Sequence, residues 1–314
     1  MLRLHSAEEW IARFGEARDP TVLTIGNFDG MHRGHQEILR RVIEQARQKQ
    51  LMPAVLTFFP HPVRVLRPEE APPLLMTLDQ RLAASEAAGI NAVLVLSFNE
   101  SLSKLSAEDF VRTYLVNVVR AREVLVGENF RFGHRQQGDV KTLEGLGKRL
   151  GFEVEVVDSL SVDGMVVSSS AVRKAVREGR MEDAAHLLGK PFTLAGDIQT
   201  GTGQGQKLVV PTLNLKTEQE ILPKTGVYIT RTTTDESVYP SVTNVGIRPT
   251  FNRSRVTIES HLFGFSKKLT AGRLAVQFLS RLRDEQKFAD VAALREQVLK
   301  DIADAKQYPH LQDR

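Results

Sequence analysis

The sequence has no cysteine in its 314 residues. This absence excludes disulfides, thiolate metal sites and a cysteine nucleophile, and it fits a cytoplasmic protein. No apolar run approaches the roughly 20 residues that a membrane-spanning helix requires. The first residues, Met1–Ser6, lack the apolar core of a signal peptide. We therefore expect a cytoplasmic protein that does not bind membranes.

The sequence also lacks clusters of basic side chains interleaved with aromatic residues, which argues against nucleic acid as a partner. Its formal net charge is +4, and the excess of basic residues lies in the second half. A mildly basic half suits a small anionic ligand. With 41% hydrophobic and 25% charged residues, the composition is that of an ordinary globular protein, and the length is sufficient for two domains.

The first half alternates apolar segments with amphipathic ones, which predicts an α/β domain with a parallel sheet covered by helices. Strands are expected between the helices near 21–26, 54–59, 92–97, 123–126 and 154–157. Ligands of such sheets bind beyond the carboxyl ends of the strands. Three predicted loops lie at such ends: 26–35, 58–62 and 127–133.

The pattern changes after Leu188. Six β-rich segments follow without an intervening helix, near 192–199, 207–215, 226–233, 238–246, 255–263 and 273–280. Turn residues separate them, which predicts an antiparallel sheet or a small barrel. Apolar residues at helical spacing predict a closing helix from Leu282 to about Lys306. We therefore expect two domains, residues 1–188 and 189–314.

The segment Gly26–His35 reads GNFDGMHRGH and joins a strand to a long helix. A helix start attracts phosphate, because it offers unpaired N–H groups and the positive end of the helix dipole. His32 and His35 are able to donate hydrogen bonds to phosphate oxygens there. Their spacing alone favours helix capping or burial, but their place after a strand and a glycine-rich turn favours a nucleotide phosphate site. Asn27 and Asp29 either hold the loop or contact the nucleotide.

Two further segments of the first half have two interpretations each. Ser168–Ser170 starts a helix with Arg173 one turn later, which is either a second phosphate-binding group or a helix cap beside a surface arginine. In Gly127–Gly133, Phe130 and Phe132 either stack on a planar ring or face the core.

The second half contains residue types suited to phosphate transfer. A glycine-rich loop, whose backbone is able to approach phosphates closely, contains Gly201, Gly203 and Gly205. Thr212 and Asn214 offer a hydroxyl and an amide to a hard cation such as Mg²⁺. Glu259 is a candidate general base for a primary alcohol. Each feature also has a plain interpretation, as a flexible hairpin, as turn residues and as a solvated strand residue.

The motifs GNFDGxHxGH, FxPHP, GxxFxFG and SSxxxR occur here in the order seen in the prokaryotic bifunctional riboflavin kinase/FMN adenylyltransferases, or FAD synthetases. The resemblance covers residues 15–307. It implies a Rossmann-like nucleotidyltransferase domain with a parallel sheet, followed by an antiparallel β-barrel with a closing C-terminal helix. It also implies that the FMN phosphate attacks the α-phosphorus of ATP in the first domain, which yields FAD and pyrophosphate.

The resemblance assigns roles to residues of the first domain. Its catalytic residues are His32, His35 and Arg173. ATP is contacted by Gly26, Asn27, Phe28, Asp29, Ser168 and Ser169. The flavin side is formed by Phe58, His61, Asn129 and Arg131. Asn129 stands where the family usually has Asp, and Ser170 where it often has Thr.

For the second domain the resemblance implies phosphorylation of riboflavin to FMN. Thr212 and Asn214 then bind Mg²⁺ and ATP, the glycine loop contacts ATP, and Glu259 deprotonates the ribityl 5′-hydroxyl. Arg248 is expected on a flap loop and Arg283 at the start of the final helix, both on the flavin side. The expected ligands are riboflavin, FMN, FAD and MgATP, with no tightly bound cofactor. We expect a monomer or a weak homo-oligomer.

The glycine-rich loop departs from the family pattern. Two arginine positions and the last glycine are occupied by Gln204, Gln206 and Val209. Losing two cations near a triphosphate weakens ATP binding by about 1.5–3 kcal/mol for each charged hydrogen bond. The alternative hypothesis is therefore an adenylyltransferase whose kinase module is weak or inactive.

Overall fold

The computed structural model describes residues 1–15, 19–199, 210–235, 237–249, 254–267, 269–309 and 311. The chain divides into two compact units, Met1–Ser168 and Ser169–Arg314. The first unit is α/β and the second is mainly antiparallel β, which confirms the predicted fold class. Among the described residues, no helix has the length and apolarity needed to cross a bilayer.

The first unit is built on a parallel sheet. Its strands are β1 (Leu2–Leu4), β2 (Thr21–Ile25), β3 (Met52–Phe59), β4 (Ala92–Ser97), β5 (Ala121–Gly127) and β6 (Glu153–Val157). They lie in the order β1-β4-β3-β2-β5-β6 and all pair in parallel. A short hairpin follows, with β7 (Ser161–Val162) and β8 (Met165–Val166). β1 was not predicted, because three residues are too few to show a period.

Helices connect these strands. They are α1 (Ala7–Phe14), α2 (Arg33–Lys49), α3 (Pro62–Leu66), α4 (Leu78–Ala88), α5 (Glu100–Ser103), α6 (Ala107–Phe110) and α7 (Val140–Leu150). α6 continues as a π-helical stretch, Val111–Val118. Thr77 and Gln80 form a capping box at the start of α4, and Gly89 ends it with a φ of 102°.

The central strands of this sheet are buried on both faces. Leu23, Leu56 and Leu94 face one apolar cluster, and Val22, Val55 and Val93 face another to which α2 contributes. Such two-sided burial explains the near-continuous apolar runs of the strands.

The second unit starts with two helices, α8 (Ser169–Glu178) and α9 (Met181–Leu188). Its strands are β9 (Phe192–Gln199), β10 (Leu213–Thr217), β11 (Gly226–Thr234), β12 (Val238–Pro249), β13 (Ser254–Leu262) and β14 (Arg273–Arg283). They close into an antiparallel barrel in the order β10-β13-β12-β11-β14-β9, and α10 (Val291–Lys306) follows. The compact units divide at 168/169, so the functional boundary at 188/189 stays a prediction.

Three local predictions in the second unit were wrong. β14 continues to Arg283, which pairs with Val227, and the helix starts only after its cap Asp290. Arg283 therefore ends a strand, because ladder pairing overrides the helical spacing of the apolar residues there. Arg248 lies on β12 opposite Arg255, not on a flap loop. The strand predicted from 207 begins at Leu213, while 207–209 lie outside the described residues.

The barrel interior contains a chain of buried hydroxyl groups. Hydrogen bonds of 2.7–2.8 Å link, in order, Thr232, Ser241, Thr230, Thr243 and Ser260. All five side chains are fully buried. Each hydroxyl is able both to donate and to accept, so this row of hydroxyl groups satisfies its own hydrogen-bonding capacity. It also ties β11, β12 and β13 to one register.

Candidate active sites

The loop after β2 lies at the point where the strand order of the sheet reverses. From β2 the chain continues to β3 on one side, and β5 and β6 occupy the other side. The loops that leave β2 and β5 therefore diverge, and a crevice opens between them. In open α/β sheets, ligands bind at such a point.

The loop itself is tightly packed and conformationally strained. Phe28 and Met31 have φ angles of 51° and 42°, although neither is glycine. Both side chains are buried, with 3% and 4% exposed. Gly30 has a φ of 88°, and a Cβ there would lie 2.7 Å from Leu75 Cδ1. Backbone strain of this kind persists only where the surroundings hold it, and it is concentrated at functional sites.

The two histidines start α2 as a stacked pair. His32 is the N-cap, and its Nδ1 accepts the N–H of His35 at 3.3 Å. The rings stack with centroids 3.6 Å apart and planes inclined by 16°. Because Nδ1 of His32 accepts a hydrogen bond, Nε2 carries the proton in the neutral ring and remains able to donate.

His35 lies deeper in this corner, with its ring centroid 5.1 Å from that of Phe28. Burial, and next the neighbouring His32, hold the pKa of His35 well below 6.5. Its Nδ1 is buried and has no hydrogen-bond partner in the part of the chain that is described. Both effects favour a neutral ring that donates one N–H to an anion.

A cleft of about 260 Å³ opens beside the histidines. Five predicted site residues line it: Gly26, Phe28, His32, His35 and Asn129. The loop after β6 supplies Asp158 and Ser159, which sequence reasoning missed. The arrangement places a helix N-terminus and two imidazoles beside one small cleft with a largely apolar lining. The N–H donors of this corner suit phosphate groups.

Asn27 and His61 bring the predicted nucleotide side and flavin side together. The Asn27 amide lies 3.2 Å from His61 Nε2, and His61 Nδ1 accepts the N–H of Val63 at the start of α3. Phe58, in contrast, contacts the ring of Phe98 edge-on at 5.8 Å and packs against the core.

The segment after β5 is divided between core and surface. Phe132 is buried in the core and stacks on Phe130 at 5.3 Å, which supports the core interpretation for Phe132. Phe130 is half-buried and lines the cleft. Asn129 and Arg131 are exposed, and Arg131 donates to the carbonyl of Phe130.

Two buried charged residues, Asp29 and Arg81, hold the loop after β2 in place. The carboxylate of Asp29, 3% exposed, accepts the N–H groups of Leu75 and Met76 at 3.0 Å. This contact supports the loop-holding interpretation of Asp29. Arg81, also 3% exposed, donates from Nη1 to the carbonyl of Asn27 at 2.8 Å. Sequence reasoning missed Arg81, because its partner, the Asn27 carbonyl, lies 54 residues earlier in the chain.

The serine-rich segment lies where the two units meet in sequence. Ser168 ends the first unit, and Ser169 begins α8 of the second. Arg173 is buried on α8. The phosphate role of these three residues stays a prediction.

The second candidate site is a row of polar residues across three barrel strands. Glu259 on β13 pairs directly with Asn214 on β10 and with Asn244 on β12. Directly paired residues share one face of a sheet, so these side chains lie side by side. Asn244 was not among the predicted site residues. His261 Nδ1 donates to the carbonyl of Pro211 at 2.9 Å, which anchors the segment before β10.

A cavity of about 370 Å³ opens over this row. Thr212, Asn244 and Glu259 give it a polar side. Its apolar lining comes from Val227, Val242, Phe288, Leu294, Val298 and Ile302. A cavity with one polar and one apolar side suits a flat, largely apolar ligand with a polar chain.

Arg283 connects the end of β14 to α10. Its Nε and Nη2 donate to Asp301 at 2.9 and 2.7 Å, and Gln297 also donates to Asp301 at 2.8 Å. Asp301 is 4% exposed. This buried ion pair holds the helix that forms the apolar wall, and sequence reasoning missed Asp301.

Several predicted residues of the second site remain without structural description. Gly201, Gly203 and Gly205 lie outside the described residues, as do the substituted positions Gln204, Gln206 and Val209. For Arg248 only the backbone is described.

Comparison with known proteins gives a consistent result for both halves. Residues 15–171 match the family model described as FAD synthetase, and residues 188–309 match the one described as riboflavin kinase. A bifunctional riboflavin kinase/FMN adenylyltransferase from Pseudomonas fluorescens is 38% identical over 91% of this chain and 92% of its own. The Escherichia coli K12 protein of that name is 33% identical over 91% and 92%.

A solved structure shares the fold over the whole length. It comes from Streptococcus pneumoniae and is described as a macrolide-efflux protein. It superposes with a TM-score of 0.87 at 25% identity and covers 98% of this chain and 99% of its own.

Proposed function

The chain belongs to the family of bifunctional riboflavin kinases/FMN adenylyltransferases, and from this membership we propose how its two sites divide the work. The barrel site phosphorylates riboflavin to FMN, and the site of the first unit adenylylates FMN to FAD. Both reactions use MgATP. One observation carries the proposal: the same chain contains a cleft with phosphate-binding groups at His32 and His35 and a cavity with polar and apolar sides at Glu259.

In the first site, an FMN phosphate oxygen attacks the α-phosphorus of ATP, and the bond from that phosphorus to the β-phosphate oxygen breaks. Pyrophosphate leaves. His32 and His35 donate hydrogen bonds to the oxygens on which charge develops, and the N-terminus of α2 adds its dipole. Much of the rate comes from holding the two anionic substrates in line.

We assign the remaining residues of the first site by their positions in the family motifs. ATP is contacted by Gly26, Asn27, Phe28, Ser168, Ser169 and Arg173, whereas Asp29 holds the loop through Leu75 and Met76. FMN is contacted by Phe58, His61, Asn129 and Arg131. The hydrogen-bond distance between Asn27 and His61 supports neighbouring nucleotide and flavin sides.

In the barrel site, Glu259 accepts the proton of the riboflavin 5′-hydroxyl while that oxygen attacks the γ-phosphorus of ATP, and ADP leaves. Asn214 pairs with Glu259 across the strands, and Thr212 lines the same cavity as Glu259. Both offer neutral oxygen donors of the kind that Mg²⁺ accepts. These residues would hold Mg²⁺ that arrives bound to ATP, and the ion would neutralise phosphate charge. The glycine loop and Arg248 complete the nucleotide and flavin sides, and Arg283 supports the flavin wall through Asp301.

The test is an assay of the whole chain with two starting substrates. Riboflavin with MgATP should give FMN and then FAD, and FMN with MgATP should give FAD and pyrophosphate. FAD formed only from supplied FMN would contradict the kinase assignment. Failure to convert FMN while riboflavin is phosphorylated would contradict the adenylyltransferase assignment.

A further inference from the structure

Arg81 is a buried cation directly behind the phosphate-type loop. It lies on α4 and is 3% exposed. Its Nη1 donates to the carbonyl of Asn27 at 2.8 Å. A buried arginine is rare unless it is paired, so its partners determine what it does.

Most of the donor capacity of Arg81 is unused. Its Nε and Nη2 are buried and have no hydrogen-bond partner within the described ranges, where Arg81 also makes no ion pair. The carboxylate of Asp29 is engaged by the N–H groups of Leu75 and Met76. Burial lowers the pKa of Arg81 and Asp29 raises it, and a guanidinium remains charged at neutral pH.

The one hydrogen bond of Arg81 sets the orientation of a peptide plane. In a trans peptide the carbonyl and the N–H point in opposite directions. With the Asn27 carbonyl turned towards Arg81, the N–H of Phe28 points away from it. That N–H donates to no described residue, and Phe28 lines the cleft beside His35.

We propose that Arg81 is a positioning residue for adenylyl transfer. It holds the Asn27–Phe28 peptide so that the Phe28 N–H faces a phosphate of ATP. Its charge, which no carboxylate of the described residues pairs by a hydrogen bond, adds to the attraction for that anion. A charge in a low-dielectric interior acts over several ångströms, so direct contact with the nucleotide is unnecessary. This inference rests on the function proposed for the first site.

The test measures FMN adenylylation by the whole chain, followed as pyrophosphate release. Only this reaction releases pyrophosphate, so ATP use at the kinase site does not interfere. Arg81→Met should lower kcat/KM for ATP about 10- to 100-fold, the range expected for a charged hydrogen bond, and leave KM for FMN within about twofold. Arg81→Lys keeps the charge and should recover about tenfold of the loss.

Two controls separate positioning from general stability. Riboflavin phosphorylation in the same variants should remain at the wild-type rate. Ser85→Ala removes another buried polar group of α4, whose hydroxyl donates to the Arg81 carbonyl at 3.0 Å, and should leave ATP kinetics unchanged.

Three outcomes would overturn the inference. The first is an unchanged kcat/KM for ATP in Arg81→Met. The second is a KM for FMN that rises as much as the KM for ATP. The third is a wild-type kcat/KM for ATP in the double variant that also carries Asp29→Asn. The last result would mean that Arg81 only neutralises Asp29. If Arg81→Met does not fold, Arg81→Gln decides, because it loses the charge and retains a donor for Asn27. If the wild-type chain makes no FAD from FMN, the proposed function fails rather than this inference.

Discussion

The two candidate sites are assembled in different ways. The first is formed largely by one continuous segment, Gly26–His35, whose strained turns deliver two histidines to a helix start. The second brings together Asn214, Asn244 and Glu259, which meet only through strand register. The first site therefore depends mainly on local backbone chemistry, and the second depends on correct closure of the barrel.

The hydroxyl chain inside the barrel protects that closure. Successive strand residues point to opposite faces, so Ser260 faces the interior while Glu259 faces the cavity. A slip of one residue on β13 would exchange them. Because Ser260 is bonded to Thr243 at 2.7 Å, the slip would also break the buried hydroxyl chain.

The largest expected effect is loss of the barrel reaction alone. Glu259→Gln keeps the side-chain shape and removes the base, so kcat for riboflavin phosphorylation should fall about 10²- to 10⁴-fold. FMN adenylylation by the same molecules should be unchanged. Loss of both reactions would show that Glu259 acts structurally and that the sites are not independent.

The reverse separation is expected for His35→Ala. It removes one donor to the developing phosphate charge, so kcat for FMN adenylylation should fall about 10²- to 10³-fold while FMN formation is spared. His5→Ala, at an exposed position of the same unit, is the matched control. Wild-type FAD synthesis by His35→Ala would remove the phosphate role.

A smaller effect, on stability, is expected in the barrel unit. Asp301→Ala leaves Arg283 without its buried partner and should lower the free energy of unfolding of that unit by about 3 kcal/mol. Riboflavin phosphorylation should then be lost at a lower urea concentration. Asp304→Ala, exposed on the same helix, should have no such effect.

Tryptophan fluorescence allows unfolding of the first unit to be followed separately from that of the barrel unit. The single tryptophan, Trp10, is buried in the first unit, so its fluorescence reports that unit. In Asp301→Ala the fluorescence transition should stay in place. If the fluorescence change and the loss of riboflavin phosphorylation both shifted to lower urea concentration, the two units would unfold together.

The smallest predicted effect is a pH dependence of the first unit. Since folding lowers the pKa of His35, the unfolded chain binds its proton more readily, and stability is lost as pH falls below about 6.5. The slope contributed is at most about 1.4 kcal/mol per pH unit. Urea titrations at pH 7 and 5.5, followed by Trp10 fluorescence, should show a weaker pH dependence in His35→Gln. Identical slopes would contradict the burial argument.

Much of the secondary structure was predictable because it follows from local rules. The apolar strands of both units are examples. The errors fell where long-range pairing competes with local pattern. Arg283 lies in a segment with helical spacing, but pairing with Val227 keeps it in a strand.

The missed site residues have a common physical cause. Arg81, Asn244 and Asp301 are unremarkable in sequence, since their roles come from partners far along the chain. Arg81 meets Asn27, Asn244 meets Glu259, and Asp301 meets Arg283. No periodicity or motif within one segment predicts such pairs.

The sequence by itself determined the two fold classes, the phosphate-type helix start and the residue types of both reactions, because hydrophobic period and turn chemistry act within a few residues. Only the tertiary structure decided which side chains face each other. Closure of the barrel set the register that aligns Asn214, Glu259 and Asn244, and packing of α4 placed Arg81 behind the Asn27 carbonyl. Those contacts depend on burial and strand pairing across the whole unit, which local sequence does not encode.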